Sequence, residues 1–173
     1  MADAKLTALT ADTSPTSDDL IYTVTNPGGS PAGRKVTVAD AALAMWKYAV
    51  KPFVVEVVDP SVLLVTGDGQ GPRFIVPAEL NGHNLVTVLG AVNTVSSANL
   101  PTVQIRNVTQ AADMLSTRIT IDVNEKNSST ATTAAVIDAA NDDVATGDEI
   151  AFDIDVAGTG TKGLTICMGF QLP

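Results

Sequence analysis

The feature that most constrains the fold is a series of short apolar segments that fills the chain after Phe53. These segments are rich in Val, Ile and Thr, and turns rich in Gly, Asn and Asp separate them, as is typical of strands. Nine such segments span residues 53–58, 62–66, 73–77, 84–92, 102–108, 117–123, 133–138, 149–157 and 164–172. Many short strands at regular spacing predict a mainly β fold over residues 53–173, an antiparallel β-sandwich that is jelly-roll-like.

Two of these segments alternate between apolar and polar residues, which indicates strands with one buried face. The segment 149–157 has Ile150, Phe152, Ile154 and Val156 at every second position, with Asp153 and Asp155 between them. The segment 117–123 alternates in the same way. Because successive side chains of a strand point to opposite faces, we expect the apolar residues in the core and both aspartates on a solvated outer face.

Two glycine-containing segments between the strands are predicted to be turns. The sequence GDGQGP, Gly67–Pro72, lacks the Lys-Ser/Thr ending of a phosphate-binding loop and precedes a strand instead of a helix. The sequence NGHN contains His83, the only histidine of the chain, which we expect to be a turn residue. A single histidine leaves no Cys/His metal cluster, and no G-x-S-x-G motif of a serine nucleophile occurs.

Residues 1–38 differ in sequence pattern from the rest of the chain and are predicted to form an extended N-terminal arm. Within it, LIYTV (Leu20–Val24) and RKVTV (Arg34–Val38) are predicted to form a short hairpin around the turn NPGGSPAG. A two-stranded hairpin is marginally stable alone in water. We therefore expect this hairpin to pack against something else.

A short helix or linker is predicted over residues 39–52. Thr37 followed by Asp40 resembles a helix start, and Pro52 is predicted to end the helix. Apolar residues surround the helix axis almost completely, so more than one side must be covered. One hypothesis is that a partner chain covers it, with Leu43, Trp46 and Tyr48 at an oligomer interface; the alternative is a helix covered wholly by its own domain.

The charge is distributed unevenly along the chain, which has 173 residues and a net charge of −9. Residues 1–52 contain five acidic and five basic residues, so residues 53–173 hold the whole net charge. Such acidity argues against a nucleic-acid partner, since phosphate binding requires clustered Lys and Arg. Residues 1–52, with no net charge, can dock on a partner while the acidic residues 53–173 keep the protein soluble. The alternative, that the acidic surface serves solubility alone, explains the charge distribution equally well. No apolar stretch is long enough for a membrane span, so no membrane partner is expected.

No arrangement of residues predicts catalysis, a cofactor or a resident metal. A glycosidase needs two carboxyls across a cleft, and no pair of acids is predicted to face each other in this way. The segment NDDVATGDE, residues 141–149, has the oxygen ligands that Ca²⁺ prefers, but a solvated acidic turn is the favoured interpretation because the spacing of an EF-hand is absent. Cys167, the only cysteine, lies in an apolar run and is expected to be a buried, inert thiol.

Several stretches resemble structural proteins of tailed-bacteriophage virions. The segment LTALTADTSPTSDDLIYTVTNPGGSPAGRKVTVAD (6–40) is similar to an N-terminal segment of such proteins, most recognisably at DDLIY and RKVTVAD. The stretches 77–92, 102–125 and 134–172 look like a β domain common in the same proteins. The resemblance implies a non-enzymatic virion component, commonly a homotrimer, that serves as a capsid decoration (cement) protein or as part of a head or tail fibre. It brings no catalytic residues.

These observations lead to one functional hypothesis and one alternative. The hypothesis is a capsid decoration protein on the outer capsid surface of the virion, attached to the major capsid protein through its N-terminal arm. The expected contact residues are Leu20, Ile21, Tyr22, Val24, Arg34, Lys35 and Val36. The alternative is a receptor- or glycan-binding module of a head or tail fibre, which the absence of a long shaft and the scarcity of aromatic residues make less favourable.

Overall fold

The structure is a computed structural model that describes residues 16–25 and 32–173. The chain divides into two compact units, Met1–Ala49 and Val50–Pro173. The sequence places the boundary two residues later, near Lys51. The predicted arm before residue 16 and most of the predicted turn NPGGSPAG lie outside the described residues.

The described part of the first unit is a hairpin followed by a helix. Strands β1 (Leu20–Thr25) and β2 (Ala32–Thr37) pair antiparallel, with Leu20 opposite Thr37. Helix α1 (Val38–Tyr48) begins after Thr37, whose hydroxyl accepts a hydrogen bond from the Asp40 N–H at 3.0 Å. This is the N-cap that the sequence predicts.

The predicted end of the helix is wrong. The helix ends at Tyr48, and Pro52 lies in the strand that follows. Ala49 already has an extended backbone, and its N–H closes the last turn by donating to the Trp46 carbonyl. Pro52 sits near the start of an edge strand, where a missing N–H is tolerated.

The second unit contains eleven strands within the described residues. They are β3 (Lys51–Leu63), β4 (Gly67–Ile75), β5 (His83–Thr94), β6 (Thr102–Asn107), β7 (Ala112–Asp113), β8 (Leu115–Thr117), β9 (Ile119–Thr120), β10 (Val136–Ile137), β11 (Asp143–Val144), β12 (Glu149–Val156) and β13 (Lys162–Gln171). Two short 3-10 helices, Ala78–Leu80 and Ser128–Thr130, lie in the connections.

The main strands form two antiparallel sheets with jelly-roll connectivity. One sheet has the order β11-β5-β13-β3, and the other has the order β4-β12-β6-β7, with β9 also paired to β6. The connections β3–β4, β4–β5, β5–β6, β11–β12 and β12–β13 therefore all pass from one sheet to the other. This alternation distinguishes a jelly roll from a sandwich of simple hairpins, and it confirms the predicted fold class.

The core lies between the two sheets, and the predicted alternation produces it. In β12, Ile150, Phe152 and Ile154 are fully buried, and in β13 Leu164, Ile166, Met168 and Phe170 meet them from the facing sheet. An aromatic group of Phe53, Phe74 and Phe170, with ring centroids 5.2–6.1 Å apart, fills one part of the same core. Burying apolar side chains at this density is the main stabilising contribution to such a sandwich.

Several predicted strand boundaries differ from the structure. The segment 62–66 is not a separate strand, because β3 continues through Pro60 to Leu63, which pairs with Lys162. The segments 117–123 and 133–138 contain only short pieces of strand. Other backbone groups of these segments bond to side chains and loops: the Thr133 carbonyl accepts a hydrogen bond from the Thr120 hydroxyl, and the Ile121 N–H donates to the Pro101 carbonyl. The apolar alternation therefore extends beyond the regular strand pairing.

The glycine-rich segment Gly67–Pro72 is part of strand β4, so its interpretation as a turn is wrong. Ile150 pairs with Phe74 and Phe152 with Gln70, so residues 71–73 stand opposite a single residue of β12. Gly71 has φ +70°, and a Cβ there would lie 2.1 Å from the Val57 carbonyl oxygen. Glycine is needed here because β4 bulges and approaches the backbone of β3 closely.

Candidate functional site

The first candidate site is an exposed apolar surface on helix α1, which we call the helix surface: Leu43, Met45, Trp46 and Tyr48. No residue of α1 is buried, and Trp46 and Leu43 are 67% and 65% exposed. Large apolar side chains exposed together in this way are unusual on a soluble monomer and are typical of a surface that another molecule covers.

The distribution of charge around α1 explains why this surface is so wide. Asp40 and Lys47 are its only charged residues. Positions seven residues apart differ by about 20° around a helix axis, so the two charges share one narrow stripe. The rest of the circumference is apolar or small. A helix of 11 residues is too short to be stable in water by itself, so packing must hold it.

The predicted contact residues of the hairpin lie on its two paired strands. Leu20 and Ile21 are exposed, and Val36, opposite Ile21, is partly buried. The backbones of four others are in the hairpin, with Tyr22 opposite Lys35, but their side chains lie outside the described residues: Tyr22, Val24, Arg34 and Lys35. The structure thus places the described contact residues and the predicted interface residues Leu43, Trp46 and Tyr48 in one unit.

The second candidate site is a cavity of about 180 Å³ on the outer face of the sheet that contains β4, β12 and β6. Its lining residues are Asp68, Gly69, Arg73, Arg106, Val108, Ala151 and Asp153. Arg106 pairs in register with Ala151, so both lie on the face opposite the core, and the β4 bulge forms the facing wall.

Asp153 corrects the prediction of a solvated outer face. Its side chain is only 7% exposed, and its Oδ1 accepts a hydrogen bond of 2.6 Å from the Gly69 N–H. Asp155, two residues along, is exposed as predicted and forms an ion pair with Arg118. The sequence could not show that the β4 bulge reaches over one of these aspartates and not the other. It also missed that Asp68 and Asp153 line one cavity.

The acidic segment 141–149 is organised around one buried carboxylate. Asp148 Oδ2 accepts hydrogen bonds from Asn107 Nδ2 and Gln110 Nε2, both at 2.8 Å, and from the Ala145 N–H at 3.0 Å. Burial alone would raise the pKa of Asp148, but these three donors outweigh it and hold the pKa below its ordinary value. The segment is therefore not a simple solvated turn, since β11 and this hydrogen-bonded carboxylate both lie within it.

His83 and Cys167 also differ from their predicted environments. His83 is the first residue of β5 and is buried, with its Nδ1 3.4 Å from the Asn81 carbonyl oxygen. Cys167 is a free thiol that is only partly buried, because it lies on the outer face of its sheet between Val54 and Leu89. The apolar residues around Cys167 alternate between the two faces of the sheet, and its neighbours Ile166 and Met168 are the ones buried in the core.

Residues 16–25 and 32–173 lack both a clustered set of metal ligands and a helix of membrane-spanning length. No group of three or more His, Cys, Asp or Glu side chains in this part of the chain is arranged to hold a metal ion. None of the helices described there is long and apolar enough to cross a membrane. Comparisons of the chain with protein-family models, with curated proteins and with solved structures found no match.

Proposed function

We propose that this protein is a capsid decoration (cement) protein of a tailed-bacteriophage virion, which binds the outer surface of the major capsid shell through its first unit. The observation that supports this proposal most is the helix surface. An 11-residue helix that is apolar on most sides has no buried residue within the chain. Such a surface is typical of contact with a partner: further copies of the chain are proposed to cover it, and the resemblance of residues 6–40 to virion proteins suggests that the resulting assembly binds a capsid shell.

The hairpin supplies the second type of contact in this proposal. Leu20 and Ile21 are exposed and, as consecutive residues of β1, point to opposite faces of the hairpin, so each face has an apolar side chain that can enter a groove of a capsid subunit. A short hairpin also offers free strand edges, so the capsid protein can add to it through backbone hydrogen bonds. Arg34 and Lys35 are adjacent on β2 and are proposed to pair with capsid carboxylates.

The helix surface is proposed to hold three copies of the chain together. In a three-helix cluster each helix contacts two neighbours, which requires apolar residues on both sides of one polar stripe. Asp40 and Lys47 form such a stripe, with Leu43 and Trp46 on one side and Tyr48 on the other. Three arms then bind one shell, so modest affinities per arm combine into tight attachment.

A pair of leucines offers a matched test. Leu43 is in α1, and Leu63, at the end of β3 in the second unit, is similarly exposed at 52%. We expect Leu43→Ser to reduce the occupancy of the protein on purified capsids at least tenfold. Leu63→Ser, with the same chemical change, should leave occupancy at the wild-type level. Quantitative gel analysis of sedimented capsids gives both values.

Deletion of residues 1–38 tests the arm itself. The truncated protein should be absent from capsids that the full chain decorates. Wild-type occupancy of the truncated protein would contradict the attachment proposal. If Leu43→Ser and Leu63→Ser reduce capsid occupancy equally, then attachment involves both units and is not specific to the first unit.

A further inference from the structure

We infer that the cavity on the outer face of the second unit is a binding site for a neutral saccharide, with Arg73 and Asp153 as its main polar contacts. This site lies wholly within Val50–Pro173 and is independent of the attachment proposed for the first unit.

The shape of the cavity depends on the bulged backbone of β4. Three residues of β4, 71–73, stand opposite Ala151, so the strand leaves the sheet plane there and opens a space above a small side chain. Gly69 has φ +61°, and a Cβ at this position would lie 3.0 Å from Arg73 Nη2. The glycine therefore allows the guanidinium to lie close against the backbone of the bulge.

The polar groups of the cavity are only partly used within the chain. The Arg73 side chain lines the cavity and makes no hydrogen bond or ion pair with another described residue, although residues 53–173 hold the whole net charge of −9. Asp153 uses Oδ1 for the Gly69 N–H, and no described residue donates to its Oδ2. Arg106 is held by Asp113 at 3.4 Å, which leaves other N–H groups of its guanidinium for a ligand.

These groups fit hydroxyls better than a charged ligand. Two arginines and two aspartates line the cavity, so its charges balance and neither an anion nor a cation is favoured. A sugar hydroxyl both donates and accepts, and vicinal hydroxyls can bridge a guanidinium and a carboxylate. Val108 and Ala151 provide an apolar wall for the C–H face of a ring. The volume is below the roughly 300–1,000 Å³ of drug-sized sites, which suits one sugar ring.

The absence of an aromatic residue from the lining predicts weak binding to a single ring. Sugar rings gain much of their affinity by stacking on aromatic side chains, and no such platform is present in the cavity. Several copies of the protein acting together would compensate by avidity. The test therefore uses glycans presented at high density on a surface.

The experiment probes the full-length protein on an array of immobilised neutral and acidic oligosaccharides. Wild type should bind at least one neutral glycan, and Arg73→Ala should bind it at least tenfold more weakly. Arg118→Ala removes the same charge from an arginine that pairs with Asp155 and does not line the cavity, so it should bind like wild type. Arg73→Lys keeps the positive charge but loses the planar guanidinium with its fixed N–H donors, so this variant should also bind the glycan more weakly than wild type.

Three results would overturn this inference: no glycan bound by wild type, equal binding by wild type and Arg73→Ala, or binding of acidic glycans only. Arg73 is exposed, so its replacement should leave the thermal midpoint unchanged, and this is checked for every variant. Capsid occupancy of Arg73→Ala should equal that of wild type. A failure of glycan binding is therefore distinguishable from a failure of the attachment proposal.

Discussion

The two units of this chain differ in how far they bury their apolar side chains. The second unit packs a core between two sheets, where twelve large apolar side chains are less than 2% exposed, although others such as Val54 and Leu63 stay exposed. The first unit has a helix of similarly apolar composition with no buried residue. An apolar helix that stays exposed on most sides is typical of a surface that another molecule covers, and this difference is the physical basis of the proposed function.

The same difference separates residues that stabilise the fold from residues available for binding. In the second unit, removal of a core side chain leaves a cavity and lowers the free energy of unfolding. In the first unit, removal of an equally large side chain should affect association and not folding.

The largest effect is expected for truncation of Phe152, compared with Trp46. Phe152→Ala removes a fully buried ring and should lower the free energy of unfolding of the sandwich by about 3–5 kcal/mol. Trp46→Ala removes a larger but exposed side chain and should change it by less than about 0.5 kcal/mol. Denaturant unfolding followed by β-sheet circular dichroism measures both. A loss of several kcal/mol for Trp46→Ala would show that the helix belongs to the sandwich core.

A pair of glycines tests whether the β4 bulge is structurally required. Gly71 and Gly160 have nearly the same positive φ, +70° and +73°, but only at Gly71 would a Cβ meet backbone atoms. Gly160→Ala should cost about 1–2 kcal/mol for the left-handed backbone alone. Gly71→Ala should cost more than this, because Val57 must also move. Equal unfolding free energies for the two variants would show that the approach of β4 to β3 is not tight.

The hydrogen-bonded carboxylate of Asp148 should make the second unit sensitive to acid. Because its pKa is lower in the folded state than in the unfolded chain, its stabilising contribution is fully present above about pH 4. The contribution is then lost as pH falls through the folded pKa.

We expect Asp148→Ala to cost about 1–3 kcal/mol at neutral pH, since Asn107 is buried and loses its acceptor. The unfolding free energy of the variant should also fall less steeply below pH 4 than that of wild type. Parallel pH profiles would contradict this role.

The smallest effect is expected for the exposed ion pair of Arg118 and Asp155. Both side chains are substantially exposed, and exposed pairs contribute about 0.2–1 kcal/mol. Arg118→Ala should therefore lower the unfolding free energy by no more than this amount, and added salt should reduce the difference further. A cost above 2 kcal/mol would mean that the outer face of this sheet contributes to stability in the way the core does.

The sequence predicted those parts of the fold that depend on local pattern. Apolar residues at every second position placed Ile150 and Ile154 in the core, and the Thr37–Asp40 pair marked the start of α1. The same kind of pattern showed that residues 39–48 are apolar on too many sides for one neighbour, and their exposure in the structure agrees with that observation.

The sequence could not predict features that depend on contacts between distant segments. Gly67–Pro72 has the composition of a turn, and only its pairing with β12 makes it a strand. Asp153 and Asp155 are equivalent by alternation, but the Gly69 N–H binds only Asp153. The cavity is likewise formed by β4, β6 and β12, which are far apart in the chain.

Acrylamide quenching of Trp46, the only tryptophan, tests whether a partner covers helix α1 when the full-length protein is followed over a range of protein concentrations. We predict that Trp46 is shielded at concentrations where the protein is oligomeric and becomes freely quenched as dilution yields monomers. Leu43→Ser should give free quenching at every concentration. Shielding of Trp46 that persists unchanged in the monomer would contradict the account, because the helix would then be covered by its own chain.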